Sequence, residues 1–245
     1  MQQMIQNEIK ISDKISFLEC SENPLSADIG IIREGGATWL FDVGDGMKNI
    51  VPLVETGESY RVVLSHFHQD HMGNTCRIKA EEIYVSGETY KHVRKQESLC
   101  GSGISADAIR KNENGIGREG IAEAEGPRSV SNRCKIIAKD VMIGDLHLFP
   151  IPSSHAKGCL GLEVDGIYAF VGDALYCKAK NGYRIYNAQL LKDEIAVLSR
   201  LQAPYLLVSH HKGLVRRKDE AIAELQEIYA KRIKNEPEIR LPFQV

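Results

Sequence analysis

Six consecutive residues, His66-Phe67-His68-Gln69-Asp70-His71, place three imidazoles and a carboxylate directly after the apolar run Val62-Val63-Leu64. A fold that buries such a cluster must satisfy its nitrogens and its charge. A metal ion does both, because neutral imidazole is the commonest metal ligand in proteins. Residues i and i+2 of an extended segment project to the same side, so His66 and His68 can grip one ion. Asp70 and His71 are adjacent, and a turn there aims them at a different point. The run therefore predicts two metal ions side by side at the end of a buried strand.

The rest of the chain can supply a fold to hold them. With 245 residues, 43% of them hydrophobic, it can bury a sizeable core as one large domain or two small ones. A formal net charge of -2 gives no sign of a polyanionic partner. The charges around residues 231–234 read as the polar face of a helix, and nucleic-acid binding would need a broader basic stripe with aromatics to stack on. Residues 1–10 hold no apolar core of signal-peptide length, and no run approaches the roughly 18 apolar residues of a membrane span. The cysteines at 20, 76, 100, 134, 159 and 177 form no Cys-x-x-Cys pair. The expectation is a cytoplasmic protein with reduced thiols and a small-molecule substrate.

Alternation and turn residues predict a hairpin of strands 29–32 and 38–41, a buried strand at 61–64, and a second hairpin of 161–164 and 167–171 turning at Asp165-Gly166. Apolar spacing of three and four predicts helices at 188–201 and 219–233, with a strand at 205–208 between them. Residues 87–140 are rich in charge and glycine and read as an insertion with short helices at 89–98 and 105–111, a possible substrate lid. Gly115-Ile116-Gly117-Arg118-Glu119-Gly120 matches the dinucleotide fingerprint in letters. It is rejected because Lys111-Asn112-Glu113-Asn114 precedes it where a buried strand is needed. His92 and His147 are expected to be surface or packing residues, and Cys159 and Cys177 small core residues.

Four further segments carry candidate residues in a fixed order with the first. Leu40-Phe41-Asp42-Val43-Gly44 precedes it, and Pro152-Ser153-Ser154-His155-Ala156, Val171-Gly172-Asp173-Ala174 and Val208-Ser209-His210-His211 follow. In that order the five motifs resemble those of the metallo-β-lactamase-fold hydrolase superfamily, over nearly the whole chain. The resemblance implies an α/β chain forming a single domain, residues 1–245, built as a four-layer αββα sandwich with residues 87–140 inserted between the second and third metal motifs. It also implies a ligand set: His66, His68 and His155 on one ion, Asp70, His71 and His210 on the other, and Asp173 bridging. Asp42 lies behind the ligands and orients them. His211 competes with His210, which is preferred because it follows the strand and the small Ser209 directly.

The activity implied is that of a dinuclear metal-dependent hydrolase acting through a metal-bridging hydroxide, with Asp70 and Asp42 as its working carboxylates. Two divalent cations outweigh the charge of Asp70, Asp173 and that hydroxide, leaving a positive site suited to an anionic transition state. An ester, thioester or lactone substrate is preferred, with phosphodiester hydrolysis as the alternative. A metal-stabilised binding or sensor protein is the alternative of another class. All-His/Asp ligation suits zinc first, then iron or manganese. β-Lactamase activity is disfavoured because the relevant branch has Cys where this chain has Asp173, and a diiron oxygen-reducing role because it needs a flavin domain.

Overall fold

A computed structural model describes residues 5, 7–100 and 129–243. The strands and helices of the first half are β1 (Ile9–Lys10), β2 (Ile15–Leu18), β3 (Ser21–Glu22), β4 (Leu25–Ser26), β5 (Ile29–Glu34), β6 (Ala37–Phe41), α1 (Met47–Val54), β7 (Tyr60–Val63), α2 (Gln69–Met72), β8 (Ala80–Val85), α3 (Gly87–Cys100) and β9 (Cys134–Ile136). Those of the second half are β10 (Val141–Ile143), β11 (Leu146–Ile151), β12 (Cys159–Val164), β13 (Tyr168–Gly172), β14 (Lys178–Lys180), β15 (Tyr183–Asn187), α4 (Ala188–Arg200), β16 (Tyr205–Val208), β17 (Val215–Arg217), α5 (Lys218–Ala230) and β18 (Glu238–Pro242).

Two sheets face each other. One has the order β1-β2-β5-β6-β7-β8-β9 and the other β10-β11-β12-β13-β16-β17. Their central strands read as continuous apolar runs because both faces are buried. On β6, Trp39 and Phe41 point into the core between the sheets, where they meet Phe170 of β13 and Leu207 of β16. Leu40 and Val62 point the other way and pack with Ile50 and Leu53 of α1 and Val93 of α3. In the second half Val171, Leu206 and Val208 face outward onto Leu191 and Leu198 of α4 and Leu225 of α5. Helix, sheet, sheet, helix is the four-layer sandwich expected. Each outer layer exists because alternate strand residues need an apolar cover.

Both hairpins form, with β5 paired to β6 and β12 to β13 in antiparallel register. Helix α4 starts where Asn187 Oδ1 accepts the Leu190 amide at 2.9 Å, a side-chain N-cap. In the segment 87–140 the expected helix 89–98 is present, within a longer one. Residues 87–100 are helix α3, and β9 pairs in parallel with β8 to complete the first sheet. Helix α3 buries Thr89 and Val93 while carrying Lys91, Arg94 and Lys95 outward, so its apolar periodicity is faint. The expected helix 105–111 and the glycine run 115–120 lie outside the described residues. No helix among the described residues is long and apolar enough to cross a membrane.

The strands that matter for the site are parallel pairs, β6 with β7 in one sheet and β13 with β16 in the other. Parallel neighbours end on the same edge. The chain therefore delivers the loops after β6, β7, β11, β13 and β16 to one rim of the sandwich.

Candidate metal centre

Every candidate ligand sits on those loops. His66 and His68 follow β7, and His68 begins the short α2, which carries Asp70 and His71. His155 follows β11, Asp173 follows β13 and His210 follows β16. The Val43 amide donates to the His71 carbonyl at 2.9 Å and the Asp42 amide to Val63 at 2.8 Å, tying the loop after β6 to α2 and β7. Across the sheets, the Leu160 amide donates to the Ser65 carbonyl at 2.8 Å.

The two halves meet closely at Gly172. Its φ is +54°, and a Cβ there would stand 2.8 Å from the Ser65 side chain. Only glycine satisfies both the backbone angle and the approach. The consequence is that Asp173 comes within reach of the histidines of the other sheet.

Three ring nitrogens converge first. His66 Nε2 is 2.9 Å from His68 Nδ1, which is 3.0 Å from His155 Nε2. Two nitrogens on one tetrahedral zinc, each at about 2.0–2.1 Å, stand roughly 3.3 Å apart, so this spacing suits a common ion. A second set forms beside it. His210 Nε2 lies 3.2 Å and His71 Nε2 3.6 Å from Asp70 Oδ2. Asp173 Oδ2 stands between the sets, 3.4 Å from His155, 3.3 Å from His71 and 3.9 Å from His210. His66-His68-His155, Asp70-His71-His210 and His66-His71-Asp173 each bring three ligand atoms within 4.8 Å of one another.

The residues fit a cation on two further counts. His71 Nε2 and Asp173 Oδ1 are buried without a hydrogen-bond partner, which is costly unless another group completes them. The electrostatics divide the site. Burial and the neighbouring imidazoles hold His66 far below the ordinary histidine range, and burial also lowers His68 and His155. These three are neutral donors. Burial opposes a charge on His71, yet Asp42 and Asp173 raise it to about 10, while a hydrogen bond to Asp70 raises His210. The side that carries the carboxylates thus attracts positive charge.

Behind the ligands lies Asp42, fully buried. Its Oδ2 is 2.7 Å from His71 Nδ1 and accepts the Ser65 hydroxyl at 2.7 Å, while Oδ1 accepts the Ser65 amide at 2.7 Å. Ser65 Oγ in turn lies 3.0 Å from His66 Nδ1. One carboxylate therefore orients a histidine of each set, one directly and one through Ser65. A turn-forming role is also present, since Asp42 has a φ of +63°.

Sequence reasoning missed three polar residues that hold the ligands. Ser65 adjoins the histidine run, and that adjacency was its only signal. Ser153 accepts the His155 amide at 3.0 Å and donates to the Ala174 carbonyl at 2.7 Å, linking the loops of His155 and Asp173. Asp28 accepts the His210 amide at 2.9 Å, and nothing in its local sequence marks it. The other singled-out residues are ordinary. His92 stacks on Phe67 with centroids 4.2 Å apart, and His147 Nδ1 lies 3.1 Å from Glu163. Burial pushes the Cys159 thiol up to about 12, leaving it inert. Cys177 packs partly buried against the second core.

No protein-family model and no curated protein matches the chain. Solved structures do. A B3 metallo-β-lactamase with an active-site glutamic acid superposes with a TM-score of 0.58 at 11% identity, over 92% of this chain and 89% of that one. A chemotaxis sensor, ODP, described as a peroxy diiron species, gives 0.56 at 13% over 89% and 93%. An archaeal metallo-β-lactamase superfamily protein from Sulfolobus tokodaii gives 0.52 at 15% over 86% and 83%.

Proposed function

We propose that this chain, which has the metallo-β-lactamase fold, is a dinuclear metal-dependent hydrolase acting on an ester, thioester or lactone. The observation that carries the proposal is Asp173 Oδ2, within 3.4 Å of His155 in one ligand set and 3.3 Å of His71 in the other. A carboxylate so placed is suited to bridge two cations. Zinc is the first choice and iron or manganese the others, since the donors are all imidazole and carboxylate. When bound, such cations supply Lewis acidity and lower the pKa of a coordinated water toward about 7.

The chain's own residues prepare that chemistry. His66, His68 and His155 present neutral nitrogens, so a cation there is not opposed by imidazolium charge. Asp42 takes the Nδ1 proton of His71 as its hydrogen-bond partner, which leaves Nε2 facing the centre. Asp70 and Asp173 contribute the negative charge, and Asp70 also aligns His210 through the 3.2 Å contact.

The test is elemental analysis of protein purified without chelator, joined to a hydrolysis panel of thioesters, lactones and phosphodiesters. About two metal ions per chain and turnover of an acyl substrate are expected. Turnover of phosphodiesters alone would move the assignment to a phosphodiesterase. The likeness to a protein described as a chemotaxis sensor favours one other reading, a metal-holding sensor. Two bound ions with no turnover of any class would establish that one.

A further inference from the structure

Asp28 is 4% exposed and stands immediately before β5. Both of its carboxylate oxygens are used. Oδ1 accepts the Cys20 amide at 2.9 Å, and Oδ2 accepts the His210 amide at 2.9 Å. His210 has a φ of +59°, a backbone conformation that a non-glycine residue keeps only when its surroundings hold it there. The residue before Asp28 acts on the same ligand set, because the Ala27 amide donates to the Asp70 carbonyl at 2.9 Å. Residues 27 and 28 therefore grip the backbone of Asp70 and His210 together.

The other set is held by different groups. His66 is oriented through Ser65 and Asp42, and His155 through Ser153. We propose that Asp28 is a positioning residue for the second metal ion alone, fixing His210 in its left-handed turn so that Nε2 faces Asp70. This rests on the dinuclear reading above. Chemistry explains why the residue is an aspartate. Two amide donors need an acceptor at each end of the group, and asparagine would set an NH2 against one of them. Asp28 also ties the His210 turn to Cys20, where the β3–β4 hairpin begins, so the hairpin and the second site share one anchor.

The test is a stepwise zinc titration of the full metal-free chain against a chromophoric chelator, for wild type and Asp28→Asn. The variant is expected to bind its first ion within about threefold of wild type and its second roughly 10- to 100-fold more weakly, the usual range for a group supporting a ligand. Equal second-ion affinities in the two proteins, or parallel loss of both ions, would overturn the role of Asp28. A wild type that takes up fewer than two ions overturns the dinuclear reading itself, and this inference with it. A second measurement needs no variant. Amide hydrogen exchange in the metal-free wild type should show His210 protected well beyond Lys212 and Gly213 in the same turn. Equal rates would mean that Asp28 does not hold it.

Discussion

A carboxylate without exposed surface persists only when its lone pairs are filled, and Asp42 fills them with the Ser65 amide, the Ser65 hydroxyl and His71 Nδ1. With the Nδ1 proton of His71 committed to that side, Nε2 is the nitrogen that would give up its proton to a cation and ligate it. Asp42→Asn replaces one acceptor by a donor at this junction. We expect a 10- to 100-fold loss of metal affinity, on the order found for such supporting groups, read by chelator competition. Unlike Asp28→Asn, it should weaken both ions, since Asp42 reaches His66 through Ser65 as well as His71. The histidine doublet offers a second prediction at this scale. His210 Nε2 is 3.2 Å from Asp70, whereas His211 takes no place in the three ligand groups found among the described residues. His210→Ala should therefore lower metal content and turnover more than His211→Ala. The reverse ranking in elemental analysis would shift the assignment by one residue.

Helix α4 shows how an element can hide a costly group. Glu194 is 1% exposed, and its Oε1 has no hydrogen-bond partner. Burial raises its pKa well above the ordinary value. A raised pKa in the folded chain means that folding is favoured by protonation. Its contribution is fully present below the unfolded pKa and declines as pH rises through that value toward the folded one. Glu194→Gln, which carries no charge at any pH, should raise the Tm at pH 8 and leave it nearly unchanged at pH 4. Thermal scans at the two pH values check this, and an equal shift at both would refute the account. The spacing that predicts α4 as an amphipathic helix says which positions turn inward. The spacing of Leu191, Glu194 and Leu198 puts this glutamate on that inward face.

For the molecule as a whole, the proposed metal centre would bolt the two sheets together. His66, His68, Asp70 and His71 come from the first sheet's loops, and His155, Asp173 and His210 from the second's. Ions held by both halves stabilise the folded chain and not the unfolded one. At a hundredfold excess over Kd this amounts to about 2.7 kcal/mol per ion. For a chain of this size that corresponds to roughly 5–10 °C in Tm. Chelation removes both ions and should lower the Tm by about twice this, and metal re-addition should restore it. A Tm indifferent to chelator would show that the ions do not cross-link the sheets.

What could be read in the sequence is what nearby residues decide among themselves. The spacing of His66 to His71, the Asp165-Gly166 turn and the apolar runs of β6, β7 and β16 all follow from repeat lengths of a few residues. Together with the family resemblance, they were enough to anticipate the sandwich and the rim that carries the histidines. The place of Cys134–Ile136 at the edge of the first sheet was not legible. Strand β9 is set by its pairing with β8, and the three residues Cys134-Lys135-Ile136 are too short a run to announce it. Nor was the hydrogen bond from His210 to Asp28, between residues 182 apart. The same holds for the approach of Gly172 to Ser65, and for the meeting of two ligand sets at one oxygen of Asp173. Those contacts exist only because two sheets pack face to face. Periodicity states which side of a strand is apolar, while packing alone decides which atoms lie opposite.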